Sequence, residues 1–137
     1  MKGYDTNLAA EFHALSMLHR LGFSATLTVG NKKAVDIVVV PRKGPPLTID
    51  VKGLAGMTGW PVDNLKAGVN HYVVFVCFLE RIHNPSVVPE VYVVPSTKVK
   101  RITYHAPGGR RVVQLSKLRE KGQQYRDGWK QLRRSAI

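Results

Sequence analysis

Two aspartates and a lysine stand where the surrounding pattern asks for apolar residues. Asp36 interrupts the run AVDIVVV near its start, and Asp50 and Lys52 interrupt LTIDVKG. Segments this apolar belong inside a sheet, where a carboxylate is costly unless it is paired, hydrogen-bonded or bound to a metal. In an extended chain alternate residues share a face. Leu47, Ile49 and Val51 therefore point one way, and Thr48, Asp50 and Lys52 the other. The connection between the two runs is short, so they are expected to be antiparallel neighbours, with facing side chains about 5 Å apart. Two carboxylates at that spacing repel, and one tends to hold a proton. A divalent cation removes the conflict, and hard oxygen ligands are what Mg2+ accepts. The plainer reading is a buried structural ion pair with a spare acid.

Glu11 is a third misplaced charge. Leu8, Phe12, Leu15 and Leu18 recur at helical spacing, and at about 100° per residue Glu11 falls between Leu15 and Leu18, within the apolar stripe. Two readings stand: a carboxylate turned inward with the stripe, or a rim carboxylate reaching a basic partner. His13 falls away from the stripe and reads as surface. His19 falls near its edge and reads as packing.

These residues need elements to position them. A helix is expected over about residues 6–21, with Asp5 as N-cap and Gly22 at its C-terminal end. Three strands follow, at residues 23–29, 34–40 and 47–52, with a hairpin turn at residues 30–33 and a Pro- and Gly-rich turn at residues 41–46. Residues 53–59 read as a loop and residues 61–69 as a short helix. The apolar run at residues 72–79 reads as a strand buried on both faces, and residues 91–94 as another strand. Helix, three-strand meander, helix, strand, strand is the order of an α/β sheet with helices on its faces. Leu115, Leu118, Gly122, Tyr125, Trp129 and Leu132 are spaced by threes and fours. They read as one helix, or two interrupted near Gly122, with a single apolar face. The whole chain reads as one domain with a basic helical segment at about residues 115–134.

Charge adds the partner. The chain carries 21 Lys and Arg against 9 Asp and Glu, a formal net charge of +12. Residues 1–97 contribute +2 and residues 98–137 contribute +10. Charge gathered in this way points to a polyanion, nucleic acid first, or more plainly to a solvated surface that aids solubility. Lys32 and Lys33 on the turn before Asp36, Lys66 on the short helix, and Arg126, Lys130, Arg133 and Arg134 in the last segment are the candidate phosphate contacts. Trp60 and Trp129 read as core before base-stacking. The five His and one Cys show no zinc-ligand spacing, and no P-loop, dinucleotide fingerprint or nucleophile-elbow motif is present. The lone Cys77 and the lack of a membrane-spanning apolar run suit a cytoplasmic protein that stays off membranes.

At Val35-Asp36 and Asp50-Val51-Lys52 the chain resembles the PD-(D/E)XK nuclease superfamily, the restriction-endonuclease-like fold. That pattern is an acid ending one strand and (D/E)-x-K on the next, often with a glutamate from the preceding helix. Here valine stands where proline often does, and NLAAEFHALSMLHRLGF resembles the opening helix, with Glu11 at the expected site. The resemblance implies a mixed central sheet flanked by helices in the order α-β-β-β-α-β. It implies Mg2+-dependent hydrolysis of phosphodiester bonds in DNA, with Mn2+ able to substitute, by a resolvase-like or restriction-like endonuclease. Asp36, Asp50, the Val51 carbonyl and Glu11 would hold the metal. Lys52 would orient or deprotonate a water, or stabilise developing charge. Duplex cleavage needs two cuts, which a homodimer would supply. The competing readings are a nuclease-fold module that grips nucleic acid without cutting it, and an interaction protein whose basic tail binds an acidic partner.

Overall fold

The computed structural model describes residues 3–28 and 35–132. Helix α1 spans Thr6–Arg20, and Asp5 caps it by accepting the Leu8 N–H at 2.9 Å. Gly22, at φ +87°, ends the helix in a backbone conformation that side chains rarely adopt. Strands β1 (Ala25–Leu27), β2 (Ile37–Val39) and β3 (Leu47–Leu54) form the antiparallel meander that the sequence leads one to expect. The expected turn at residues 30–33, with Lys32 and Lys33, lies outside the described residues. Strand β4 is Gly59–Pro61, β5 is His71–Cys77 and β6 is Glu90–Pro95. A 3-10 turn at Ser96–Ile102 leads to β7 (Thr103–His105) and β8 (Arg111–Gln114), followed by helix α2 (Leu115–Lys121) and a 3-10 turn at Gln123–Tyr125.

The main sheet has five strands in the order β1-β2-β3-β5-β6, with β3 and β5 parallel and the other pairs antiparallel. This is the expected mixed sheet flanked by helices. A second sheet, β4-β8-β7, was not foreseen. The parallel step from β3 to β5 needs a crossover, which the sequence reading supplied with a helix at residues 61–69. That helix is absent. The crossover is instead β4 followed by an irregular segment carrying Lys66, because β4 pairs with β8 and draws the chain out extended.

Each face of the main sheet has its own core. On one face Ile49, Val51, Tyr72, Val74, Val76, Val91 and Val93 meet Ala10, Ala14 and Leu18 of α1. On the other, Val73, Phe75, Cys77, Tyr92 and Val94 meet Trp60, Val113, Leu115 and Leu118. The face that α1 buries differs from the expected stripe: Leu8 and Phe12 are exposed, and Ala10, Glu11, Ala14 and Leu18 are buried. Small alanines let the helix sit close. A Cβ on Gly53 of β3 would come within 2.8 Å of the Thr6 carbonyl and 3.0 Å of the Ala10 Cβ.

The segment after α2 also departs from expectation. Leu115 and Leu118 lie in one core, Trp129 and Leu132 in the other, so there is no single apolar face. The chain rounds the edge of the sheet at β6. Arg126 bridges to Tyr92, the Asp127 N–H donates to the Val91 carbonyl at 2.9 Å, and the Gln131 amide donates to Val93 at 2.8 Å. That wrap satisfies an edge strand that would otherwise expose its backbone groups.

Candidate active site

The candidate site forms where β3 outruns β2. The β2–β3 ladder ends at the pair Ile37–Ile49, and just before it the Asp36 N–H donates to the Ile49 carbonyl at 3.0 Å. Asp36 stands one residue before β2 rather than at its end. Since β2 runs antiparallel to β3, its start lies beside the Asp50–Lys52 stretch. Past this point Val51 has no strand partner on the β2 side, and the Asp36 carboxylate takes that place. Its Oδ2 accepts the Val51 N–H at 2.7 Å. The N–H and C=O of a strand residue point to the same side, so the Val51 carbonyl faces this open edge too.

Asp50 and Lys52 share a face of β3 with Val73 and Phe75 beside them, the face away from α1. Asp50 is not left alone there. His71 Nε2 lies 3.1 Å from its Oδ2, and His71 Nδ1 lies 2.7 Å from the Thr48 hydroxyl. With Thr48 donating to Nδ1, Nε2 carries the proton toward the carboxylate. Sequence reasoning missed His71. The available signal was a polar residue opening the run HYVVFVC, and only the parallel register with Thr48 gives it meaning.

Glu11 is buried, at 7% exposure. It lies on the α1 side of the sheet, opposite the face of Asp50 and Lys52. Asn7, one turn earlier on the same side of the helix, directs its side-chain oxygen to the Gly53 N–H at 3.4 Å and lines the groove that holds Lys52. The two faces therefore communicate around the open edge of β3. The Asp36 carboxylate reaches the Asp50–Lys52 stretch through the Val51 N–H, and Glu11 lies on the other face of the sheet. Among the described residues no three His, Cys, Asp or Glu side chains converge as a ready metal cluster.

A groove of about 330 Å³ opens beside Lys52 and Gly53, walled by Asn7, Trp60, Pro61, Asp63, Asn64 and Arg110. Trp60 is otherwise core, donating its indole N–H to the Val76 carbonyl at 3.3 Å, and Trp129 is core as well. His19 hydrogen-bonds the Ala25 carbonyl at 2.8 Å. His13, read as surface, is partly buried, and burial pulls its pKa down. Of the candidate phosphate contacts, Lys66 and Lys130 are exposed. Arg126 is engaged instead, 3.9 Å from Glu90 and over the Tyr92 ring. Arg133 and Arg134 lie outside the described residues.

Glu90 is a buried carboxylate that sequence reasoning also missed. Arg119 grips both its oxygens, at 2.9 and 3.0 Å, and the Tyr92 hydroxyl donates to it at 2.5 Å. The Arg119 guanidinium holds the Glu90 pKa down. Burial, then Glu90, pushes the Tyr92 phenol up to about 12. Every oxygen of this cluster is committed to holding β6 against α2.

The fold matches that of the bacterial homing endonuclease I-Ssp6803I, with a TM-score of 0.55, 18% sequence identity, and coverage of 93% of this chain and 90% of that one. The likeness is one of fold: a mixed sheet flanked by helices. No family model and no curated protein matches the sequence. No helix among the described residues is long and apolar enough to cross a membrane.

Proposed function

We propose that this protein is a divalent-metal-dependent endonuclease that hydrolyses phosphodiester bonds in DNA. The observation that carries the reading is the Asp36 carboxylate seated on the N–H of Val51, the residue between Asp50 and Lys52, in a chain whose fold matches that of a homing endonuclease. The donor set suits Mg2+, with Mn2+ as substitute: two carboxylates and the Val51 carbonyl, all hard oxygens, with Glu11 as a further candidate ligand. When bound, such an ion supplies Lewis acidity toward the phosphate and lowers the pKa of a bound water. Asp36 and Asp50 would hold the ion, with His71 orienting Asp50. Lys52 reaches the groove where the substrate would lie, to orient a water or offset negative charge that develops on the phosphate. The net charge of +12 favours a nucleic-acid partner. A homodimer, acting in the cytoplasm, would account for cutting both strands.

The test is cleavage of linear, nicked, branched and single-stranded DNA with Mg2+ and with EDTA. Cutting in Mg2+ alone is the expected result. Binding without cutting on every substrate would sink the endonuclease reading and leave a module that only grips nucleic acid.

A further inference from the structure

The charged residues that wall the groove beside Lys52 do not belong to the metal-binding set, and their arrangement is specific. Asp63 follows directly on the β4–β8 ladder, which ends with the Val62 N–H donating to the Arg111 carbonyl at 2.9 Å. Its Oδ1 accepts the Arg111 N–H at 2.7 Å and its Oδ2 accepts Arg110 Nε at 2.9 Å, while the Asp63 carbonyl accepts from the Arg111 guanidinium. The Arg111 N–H, then the Arg110 side chain, hold the Asp63 pKa down, so the carboxylate stays charged. The β7–β8 hairpin is closed behind Arg110 by the Ala106 N–H donating to the Arg110 carbonyl at 2.8 Å. Gly108 and Gly109 turn the chain there at φ +86° and +87°. Arg110 is thus fixed at its backbone by the turn and at its Nε edge by Asp63.

The other edge of that guanidinium is open. Nη1 and Nη2 make no hydrogen bond among the described residues, and the side chain is 63% exposed at the wall of the groove. An arginine serving only as a partner for Asp63 would satisfy its charge with a two-pronged contact. This one is held by a single nitrogen and presents its remaining fork. A planar fork of N–H donors matches the oxygens of a phosphate.

We propose that Arg110, oriented by Asp63, is a backbone-phosphate clamp for nucleic acid lying in the Lys52 groove. The inference deepens the nuclease reading by naming what the groove grips. It also moves the main contact from the segment after α2 to the β7–β8 hairpin.

Fluorescence anisotropy with a labelled DNA duplex in EDTA, across a salt series, tests this without any cutting. Arg110→Ala should weaken binding about tenfold or more and lower the slope of log affinity against log salt by about 0.9. Arg110→Lys keeps the charge but loses the fork, and should fall nearer to Arg110→Ala than to the unmodified protein. Asp63→Asn decides between a clamp and mere charge. Removing an acid beside the groove strengthens binding if only net charge matters, and weakens it if Asp63 orients Arg110. Melting curves check that each variant folds, and Arg110→Lys serves if Arg110→Ala does not. Tighter binding by Asp63→Asn, normal binding by Arg110→Lys, or no duplex binding by the unmodified protein would each overturn the clamp. Because the readout is binding in EDTA, a protein that uses Arg110 but never cuts leaves the clamp standing and removes the nuclease reading. A protein that cuts normally with Arg110→Ala does the reverse.

Discussion

The Asp36 carboxylate accepts the backbone N–H of Val51 at 2.7 Å, filling the place of a strand that has already ended. One side chain thereby ties the start of β2 to β3 at the residue between Asp50 and Lys52. The structural role and the proposed chemical one overlap in this acid, and replacing it would confound them. The discriminating variants lie next to it.

Lys52→Ala is expected to abolish cutting while leaving DNA binding and metal binding largely intact. Among the described residues the Lys52 side chain makes no hydrogen bond or ion pair, and its proposed work is on the water or the developing charge. Asp50→Asn should differ by weakening metal binding too. Cleavage rates and calorimetric titration with Mg2+ check both. Normal cutting by Lys52→Ala would remove the mechanism and leave the fold untouched.

Glu11→Gln is expected to cut more slowly and to gain less from Mg2+ in melting temperature than the unmodified protein. Glu11 is buried, at 7% exposure, and a carboxylate that helps hold the metal loses that role as an amide. Thermal melting with and without Mg2+ is the measurement. An unchanged cutting rate with an unchanged Mg2+ melting shift would assign Glu11 to the helix–sheet contact alone.

Gly53→Ala is expected to destabilise the protein by about 1–3 kcal/mol, the usual range for overpacking. The added methyl meets the Thr6 carbonyl and the Ala10 Cβ, and backbone cannot move aside cheaply. The variant should also lose activity beyond its loss of stability, since α1 carries Asn7 and Glu11. Denaturant unfolding beside a cleavage assay separates the two effects.

Glu90 gives stability an acid limb. Its folded pKa is held below the ordinary 4.5, so the stabilisation it supplies is complete above that value. It is lost as pH falls through the depressed folded value. The melting temperature of the unmodified protein should therefore drop more steeply below about pH 4.5 than that of Glu90→Gln. Arg119→Ala should cost about 1–3 kcal/mol at neutral pH by leaving a buried acceptor short of its partner. A pH series of melts with identical acid limbs would refute the linkage.

The meander, and the placement of Asp50 and Lys52 on one face with Asp36 nearby, were legible in the sequence because all depend on local spacing. Asp50 and Lys52 had to share a face, and the short connection had to bring Asp36 beside them. The phase of α1 was not legible. Leu8 and Phe12 outweigh Ala10 and Ala14 in any hydrophobic tally, yet close approach over Gly53 favours the small side chains. The second sheet was hidden because its strands are three or four residues long and one of them contains Gly59 and Pro61, which interrupt a strand pattern. His71 with Asp50, and Asp63 with Arg110, join residues 21 and 47 positions apart. No spacing rule reaches that far.

The segment that rounds the edge of β6 bears on when the molecule can be assembled. Trp129 and Leu132 complete the core beneath α1, whose other members run from Ala10 to Val93. As the chain is synthesised, α1 and the meander emerge first but wait for residues 129–132 before their shared interior is sealed from water. Folding of that half is thus coupled to late synthesis. The edge of β3 that receives the Asp36 carboxylate should gain its full rigidity only then.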